Sequence, residues 1–93
     1  MPPKVADAMT RASQESVSMM ELQALASQRI SEITGAEAGY ITSGASSGLT
    51  LGTASIIAGM DPGRMDRLPD VTGMKNEFIL SREHRNGYDH AIR

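Results

Sequence analysis

Apolar residues recur at helical spacing over the first third of the chain. Val5, Ala8, Met9 and Ala12 lie three or four apart, and Pro3 suits a first helical turn, so a helix is predicted from Pro3 to about Ala12. A polar joint, Ser13 to Val17, follows. Ser18-Met19-Met20-Glu21 then has capping-box spacing, in which the Ser hydroxyl and the Glu carboxylate can each satisfy an orphan backbone N–H. Leu22, Leu25, Ala26, Ile30 and Ile33 form one stripe of a second helix. Gly35 after Thr34 is a left-handed stop.

Beyond Gly35 the period changes. Tyr40-Ile41-Thr42 is short, β-prone and bounded by glycine, which predicts a strand. Ser43-Gly44-Ala45-Ser46 reads as a turn into a third helix, from about Ser46 to Ala58. Leu49, Gly52, Thr53, Ile56, Ile57 and Met60 share one face of it. Gly48, Gly52, Ser55 and Gly59 line an overlapping small face. A glycine inside a helix costs about 1 kcal/mol relative to alanine, so the small face predicts close approach of another backbone. Asp61 to Gly73, rich in Pro, Gly and Asp, is predicted to be a loop. Phe78-Ile79-Leu80 suits a buried strand over Asn76 to Ser81. Arg82 to Asp89 is polar and irregular, and the last residues begin another helix.

The order helix–helix–strand–helix–strand is an α/β pattern. Two short strands cannot make a stable parallel sheet with both faces covered. The chain also stops at Arg93 without a helix cap, Gly or Pro. Residues 1–93 are therefore expected to be the N-terminal fragment of a larger domain whose sheet continues elsewhere.

Composition sharpens this expectation. The 93 residues have room for one small domain at most. Hydrophobic residues make up 40 %, which is globular in character, yet only 3 % are aromatic (Tyr40, Phe78, Tyr88), so each apolar residue buries little area. Such a segment is expected to pack against something outside itself, although a small Ala-rich helical domain would have the same composition. Nine basic and eleven acidic residues leave a net charge of −2, which makes no electrostatic case for nucleic acid or a membrane surface as partner. Ala38 to Met60 is uncharged and long enough to span a bilayer, but its glycines and its strand-and-turn opening argue against a span. Without cysteine there is no disulfide or thiolate site, and Met1-Pro2-Pro3-Lys4 is not followed by the apolar run of a signal peptide. The expected location is the cytoplasm.

Candidate chemistry concentrates at strand–Ser43-Gly44-Ala45-Ser46–helix. A helix N-terminus offers a phosphate several N–H donors and a positive field, Gly44 lets the backbone approach, and the Ser43 and Ser46 hydroxyls add donors. The pattern is neither GxGxxG nor GxxxxGK[ST], so the dinucleotide fingerprint and the P-loop are not met. A Ser-capped helix with a glycine turn and no ligand would look the same. The second place is Arg82 to His90, after the predicted strand, where His84 could stack on a flat ring or relay a proton. A polar surface loop accounts for the same residues, and for His90 it is the preferred reading. A His84/Asp89/His90 metal site does not match a zinc spacing. No catalytic triad or carboxylate pair is visible. Met19 and Met20 suit a core or a subunit interface.

Thr34-Gly35-Ala36-Glu37-Ala38-Gly39-Tyr40-Ile41-Thr42-Ser43-Gly44-Ala45 resembles the N-terminal part of the large domain of fold-type I enzymes that use pyridoxal 5′-phosphate (PLP). The resemblance is to the D-glucosaminate-6-phosphate ammonia-lyase type, within the group that includes L-seryl-tRNA(Sec) selenium transferase. Met19-Met20-Glu21-Leu22-Gln23, Leu68-Pro69-Asp70, Gly73-Met74-Lys75-Asn76-Glu77 and His84-Arg85-Asn86-Gly87-Tyr88-Asp89 extend it over most of the chain. It implies an aspartate-aminotransferase-like large domain, a PLP phosphate held at Ser43, Gly44, Ala45 and Ser46, and His84 stacked on the cofactor ring. It also implies a small-molecule substrate and a parent that is a homodimer or larger. The implied activity is that of a PLP-dependent lyase on an amino-sugar phosphate or an amino acid. The family's cofactor-linking lysine normally lies far downstream. Lys4 and Lys75 are the only lysines and neither is expected to serve, so the 93 residues alone should be inactive. Two alternatives stand beside this: selenium or sulfur transfer on a charged tRNA, and a small non-enzymatic helical module associating through its glycine-lined face.

Overall fold

A computed structural model describes residues 1–93. Helix α1 spans Pro3–Ala12, α2 Met19–Thr34, α3 Ala45–Ala58 and α4 Pro62–Arg67, followed by 3-10 turns at Arg82–His84 and Gly87–Ala91. The chain divides into two units, Met1–Ile41 and Thr42–Arg93. None of its helices is long and apolar enough to cross a membrane.

In the first unit the helix ends follow local signals. Pro3 opens α1, and the Thr10 hydroxyl donates back to the Ala6 carbonyl at 3.0 Å. The Ser18 hydroxyl caps α2 by accepting from the Glu21 N–H at 3.4 Å, while the Glu21 carboxylate makes no return bond, so only half of the capping box forms. Gly35 ends α2 with φ 74°, a conformation that side-chain-bearing residues rarely adopt, and its N–H returns to the Ser31 carbonyl at 2.9 Å. Neither helix has a buried residue, and α1 does not pack on α2. The α2 stripe is only partly covered: Ala26 and Ile30 are half-buried, whereas Leu22, Leu25 and Ile33 are exposed.

In the second unit α3 packs against α4 and against the Gly87–Ala91 turn. Ala58 is the one buried hydrophobic residue, at 2 % exposure, and Asp89 the one buried polar residue, at 6 %. Met65 and Leu68 of the α4 region flank Ala58 around a cavity of about 180 Å³. The predicted loop from Asp61 to Gly73 contains α4. Asp61 caps it by accepting from the Arg64 N–H at 3.2 Å, and Pro62 occupies its first turn, so two residues read as loop punctuation begin a helix.

The predicted α/β architecture is corrected at both strands. Neither Tyr40–Thr42 nor Asn76–Ser81 forms a ladder, and the structure is helical without a strand. A strand is a property of a pair, because its N–H and C=O groups need a neighbour's to complete the ladder. Ile79, expected to be buried, is fully exposed at 102 %. On the small face of α3 a Cβ built at Gly52 or Gly59 would meet nothing within 4 Å, whereas one at Gly48 would meet the Thr42 hydroxyl at 3.5 Å.

The surface area is large for the mass. The chain exposes 8167 Å². A compact monomer of 9.9 kDa would expose about 5200 Å², and two separate compact bodies of half that mass about 6300 Å² together. Division into two units therefore does not explain the excess. It comes from faces within each unit that no other part of the chain covers.

Candidate functional site

Local chemistry builds an open donor array at the start of α3. Gly44 occupies the cap position in extended backbone, φ 159° and ψ 174°, and contributes no side-chain cap. The first helical bond runs from the Gly48 N–H to the Gly44 carbonyl at 2.9 Å. The N–H groups of Ala45, Ser46 and Ser47 precede the first residue with an intrahelical partner and have no other acceptor. The Thr42 hydroxyl donates to the same Gly44 carbonyl at 3.0 Å and closes the approach turn. A Cβ at Gly44 would touch nothing within 4 Å, so the space over the cap is open.

The four residues expected to cradle a phosphate, Ser43, Gly44, Ala45 and Ser46, are all exposed. One further residue belongs with them. Ser47 is half-buried and its hydroxyl lies 2.8 Å from the Ser43 hydroxyl. The spacing of four residues across a helix start was the available signal for that pair. No acidic side chain in the first turn of α3 competes for the free N–H groups. Three free N–H donors thus stand at the positive end of a 14-residue helix, beside two hydroxyls.

His84 lies elsewhere. It is exposed in the Arg82–His84 turn, its carbonyl accepts from the Asn86 side-chain amide at 3.1 Å, and that turn does not touch α3. No three of the His, Asp and Glu side chains converge, so His84, Asp89 and His90 are not gathered around a common point. Asp89 has a different occupation. The Arg85 guanidinium donates to one of its oxygens, and Arg93 reaches the other at 3.4 Å. The bond from Arg85, then the charges of Arg85 and Arg93, hold the Asp89 carboxyl below its ordinary value of 3.8, against the opposing effect of burial. Both arginines border a cavity of about 410 Å³ with Asn76, Phe78, Leu80 and Ile92. Nothing in the order of charges along the sequence singled out Asp89 as the buried one.

The segment from Gly39 to Ile41 is held from α2. The Gln23 amide donates to the Ile41 carbonyl at 2.9 Å and accepts from the Ile41 N–H at 3.0 Å. One turn on, the Ser27 hydroxyl accepts from the Gly39 N–H at 3.0 Å. Gly39 is required there by packing, since a Cβ would fall 2.6 Å from Ile30 Cγ2.

The chain is similar to segments of two enzymes. It is 37 % identical over 86 residues, 92 % of its length, to the D-glucosaminate-6-phosphate ammonia lyase of Salmonella typhimurium (strain 14028s / SGSC 2262). It is 34 % identical over 84 residues, 90 % of its length, to the 5′-C-glycyluridine monooxygenase-decarboxylase of a Streptomyces species. Each match covers little of the relative, 23 % of the first and 21 % of the second. The chain thus spans under a quarter of the length of the curated relatives it matches. No family model matches it, and no solved structure does. Both relatives are enzymes, one of them a lyase.

Proposed function

We propose that residues 1–93 are the cofactor-phosphate portion of a PLP-dependent lyase that acts on an amino-sugar phosphate or a related amino acid. The observation that carries this reading is the open N-terminus of α3, where the N–H groups of Ala45, Ser46 and Ser47 have no protein acceptor. The names of the relatives support the cofactor class. Glucosaminate and a glycyl group both carry an amine on the carbon next to a carboxylate, and removal of the proton from that carbon or of its carboxylate as carbon dioxide each leaves an electron pair there. PLP, when bound, supplies the electron sink for such density.

The residues of this chain fit the phosphate end of that cofactor. The free N–H groups hold the phosphate oxygens, Gly44 keeps the approach free of a Cβ, and the Ser43 and Ser47 hydroxyls can turn toward the same anion. The helix dipole favours the dianion over the monoanion. The turn that carries His84 does not touch α3, so no contact supports a ring-stacking role for it. Lys4 and Lys75 are assigned no part in the reaction.

Titration of the chain with inorganic phosphate and with PLP, followed by amide resonances, tests the reading. Both ligands should shift Ala45, Ser46 and Ser47 with millimolar-range affinity, about that of a few exposed N–H donors without a cationic side chain. Shifts confined to other residues, or equal shifts with pyridoxal lacking the phosphate, would remove it.

A further inference from the structure

We propose that the cavity bordered by Arg85 and Arg93 is a binding site for a small organic anion, an oxyanion head on a short apolar body. The site shares no residue with the start of α3 and does not rest on the proposed function above. Its volume, about 410 Å³, is within the range of small-molecule pockets. Arg85, Arg93 and Asn76 form its polar lining, and Phe78, Leu80 and Ile92 its apolar lining.

Charge sets the sign of the ligand. Arg85, Asp89 and Arg93 follow one another at intervals of four, and Asp89 is the buried member. Both guanidinium groups reach its carboxylate, Arg85 through Nε and Arg93 at 3.4 Å. Two cations on one carboxylate leave one positive charge unmatched, and no acidic side chain lines the cavity. Beyond Asp89, neither guanidinium donates to a protein acceptor, and the two side chains are 52 % and 62 % exposed. The free N–H groups of such a fork match the paired oxygens of a carboxylate or a phosphate. Because Asp89 already holds both arginines, less side-chain freedom remains to be lost when an anion binds. Phe78 and Ile92 are half-buried beside them and Leu80 is exposed, so an apolar wall adjoins the cationic one. A ligand with only one of the two characters would leave the other wall in water.

The test uses the full chain, with benzoate and phenyl phosphate as probes and with acetate and benzyl alcohol as their truncated counterparts. Benzoate and phenyl phosphate should shift the Phe78 and Leu80 amides and the Arg85 Nε–H, with dissociation constants in the millimolar range expected of solvent-exposed ion pairs. Acetate, which lacks the body, and benzyl alcohol, which lacks the charge, should each bind about fivefold more weakly or worse. The tighter of the two anions identifies the head group, carboxylate or phosphate. Arg93→Gln leaves Asp89 paired with Arg85 and should weaken benzoate about threefold or more, with the α3 resonances unchanged. Arg85→Lys keeps a cation for the buried Asp89 but loses the fork, and should weaken it in the same direction. Should either variant unfold the Gly87–Ala91 turn, the four probes on the unsubstituted chain still decide. Benzyl alcohol as tight as benzoate would reduce the site to an apolar groove, and acetate as tight as benzoate would reduce it to a charged surface. Either outcome, shifts confined to other residues, or unaltered benzoate affinity in a folded Arg93→Gln chain overturns the proposal.

Discussion

The two units of the chain are stabilised in different ways. Met1–Ile41 has no buried residue, and its longer-range order comes from polar side chains of α2 that bind backbone at Gly39 and Ile41. Thr42–Arg93 has a rudimentary interior, with Ala58 buried where α3 meets α4, and Asp89 buried between two arginines. Hydrogen bonds of the first kind are worth about 1 kcal/mol each and depend on geometry, whereas burial of the second kind scales with area and tolerates small shifts. The first unit should therefore fail by exact substitutions of polar or glycine residues, and the second by disturbance of its few buried atoms.

The largest effect is expected from Ala58→Asp. It places a carboxylate at a 2 % exposed position, and should cost about 3 kcal/mol or more, enough to disperse α3 from α4. Loss of long-range proton contacts between α3 and Leu68, with Ile41 exchange unaltered, would confirm that the two units fail separately. Next comes Gly39→Ala, whose Cβ would overlap Ile30. It should cost the first unit about 1–3 kcal/mol and abolish protection of the Ile41 amide, while leaving the second unit as it was. If Gly39→Ala disturbs the second unit as much as the first, the contrast between them is wrong.

Smaller effects separate local from tertiary contributions. Gly35→Ala forces a Cβ into φ 74° and should cost about 1 kcal/mol, read as fraying of the last turn of α2. Ser18→Ala should cost a little less, about 0.5–1 kcal/mol, at the other end of the same helix. The smallest change follows acidification. Because Arg85 lowers the folded carboxyl of Asp89, the unfolded chain takes up the proton first as the pH falls. The contribution of Asp89 is then complete above its ordinary value of 3.8 and is lost as the pH drops through the folded value. Side-chain resonances of Arg85 and Asp89 should move on that descent, and Asp89→Asn should remove the response.

The bounds of α1 and α2 were legible because each rests on neighbours in sequence: Pro3 for one, Ser18 and Gly35 for the other. The turn at Ser43-Gly44 was legible too, although α3 begins at Ala45, one residue before its expected start. Asp61-Pro62 was equally local and equally informative, but an Asp-Pro pair inside a Gly-rich stretch looks like a turn until its third residue is seen to bond back to the Asp. The strands expected at Tyr40–Thr42 and Asn76–Ser81 were misread for a different reason. Their β-prone residues describe a preference that only a partner backbone can realise, and at Ile41 the partner is the amide of Gln23, 18 residues away.

Sequence alone decided the ends of α1 and α2, that the chain carries a glycine at the start of α3, and that its apolar content is almost wholly non-aromatic, because caps, glycine torsions and side-chain volumes act within a few residues. Tertiary structure alone decided that Asp89 is the buried carboxylate, that the Gln23 amide takes the place of a strand beside Ile41, and that the Ser47 hydroxyl lies against that of Ser43. Those outcomes depend on distances between groups that the order of residues does not contain, and burial and hydrogen bonding are set by such distances.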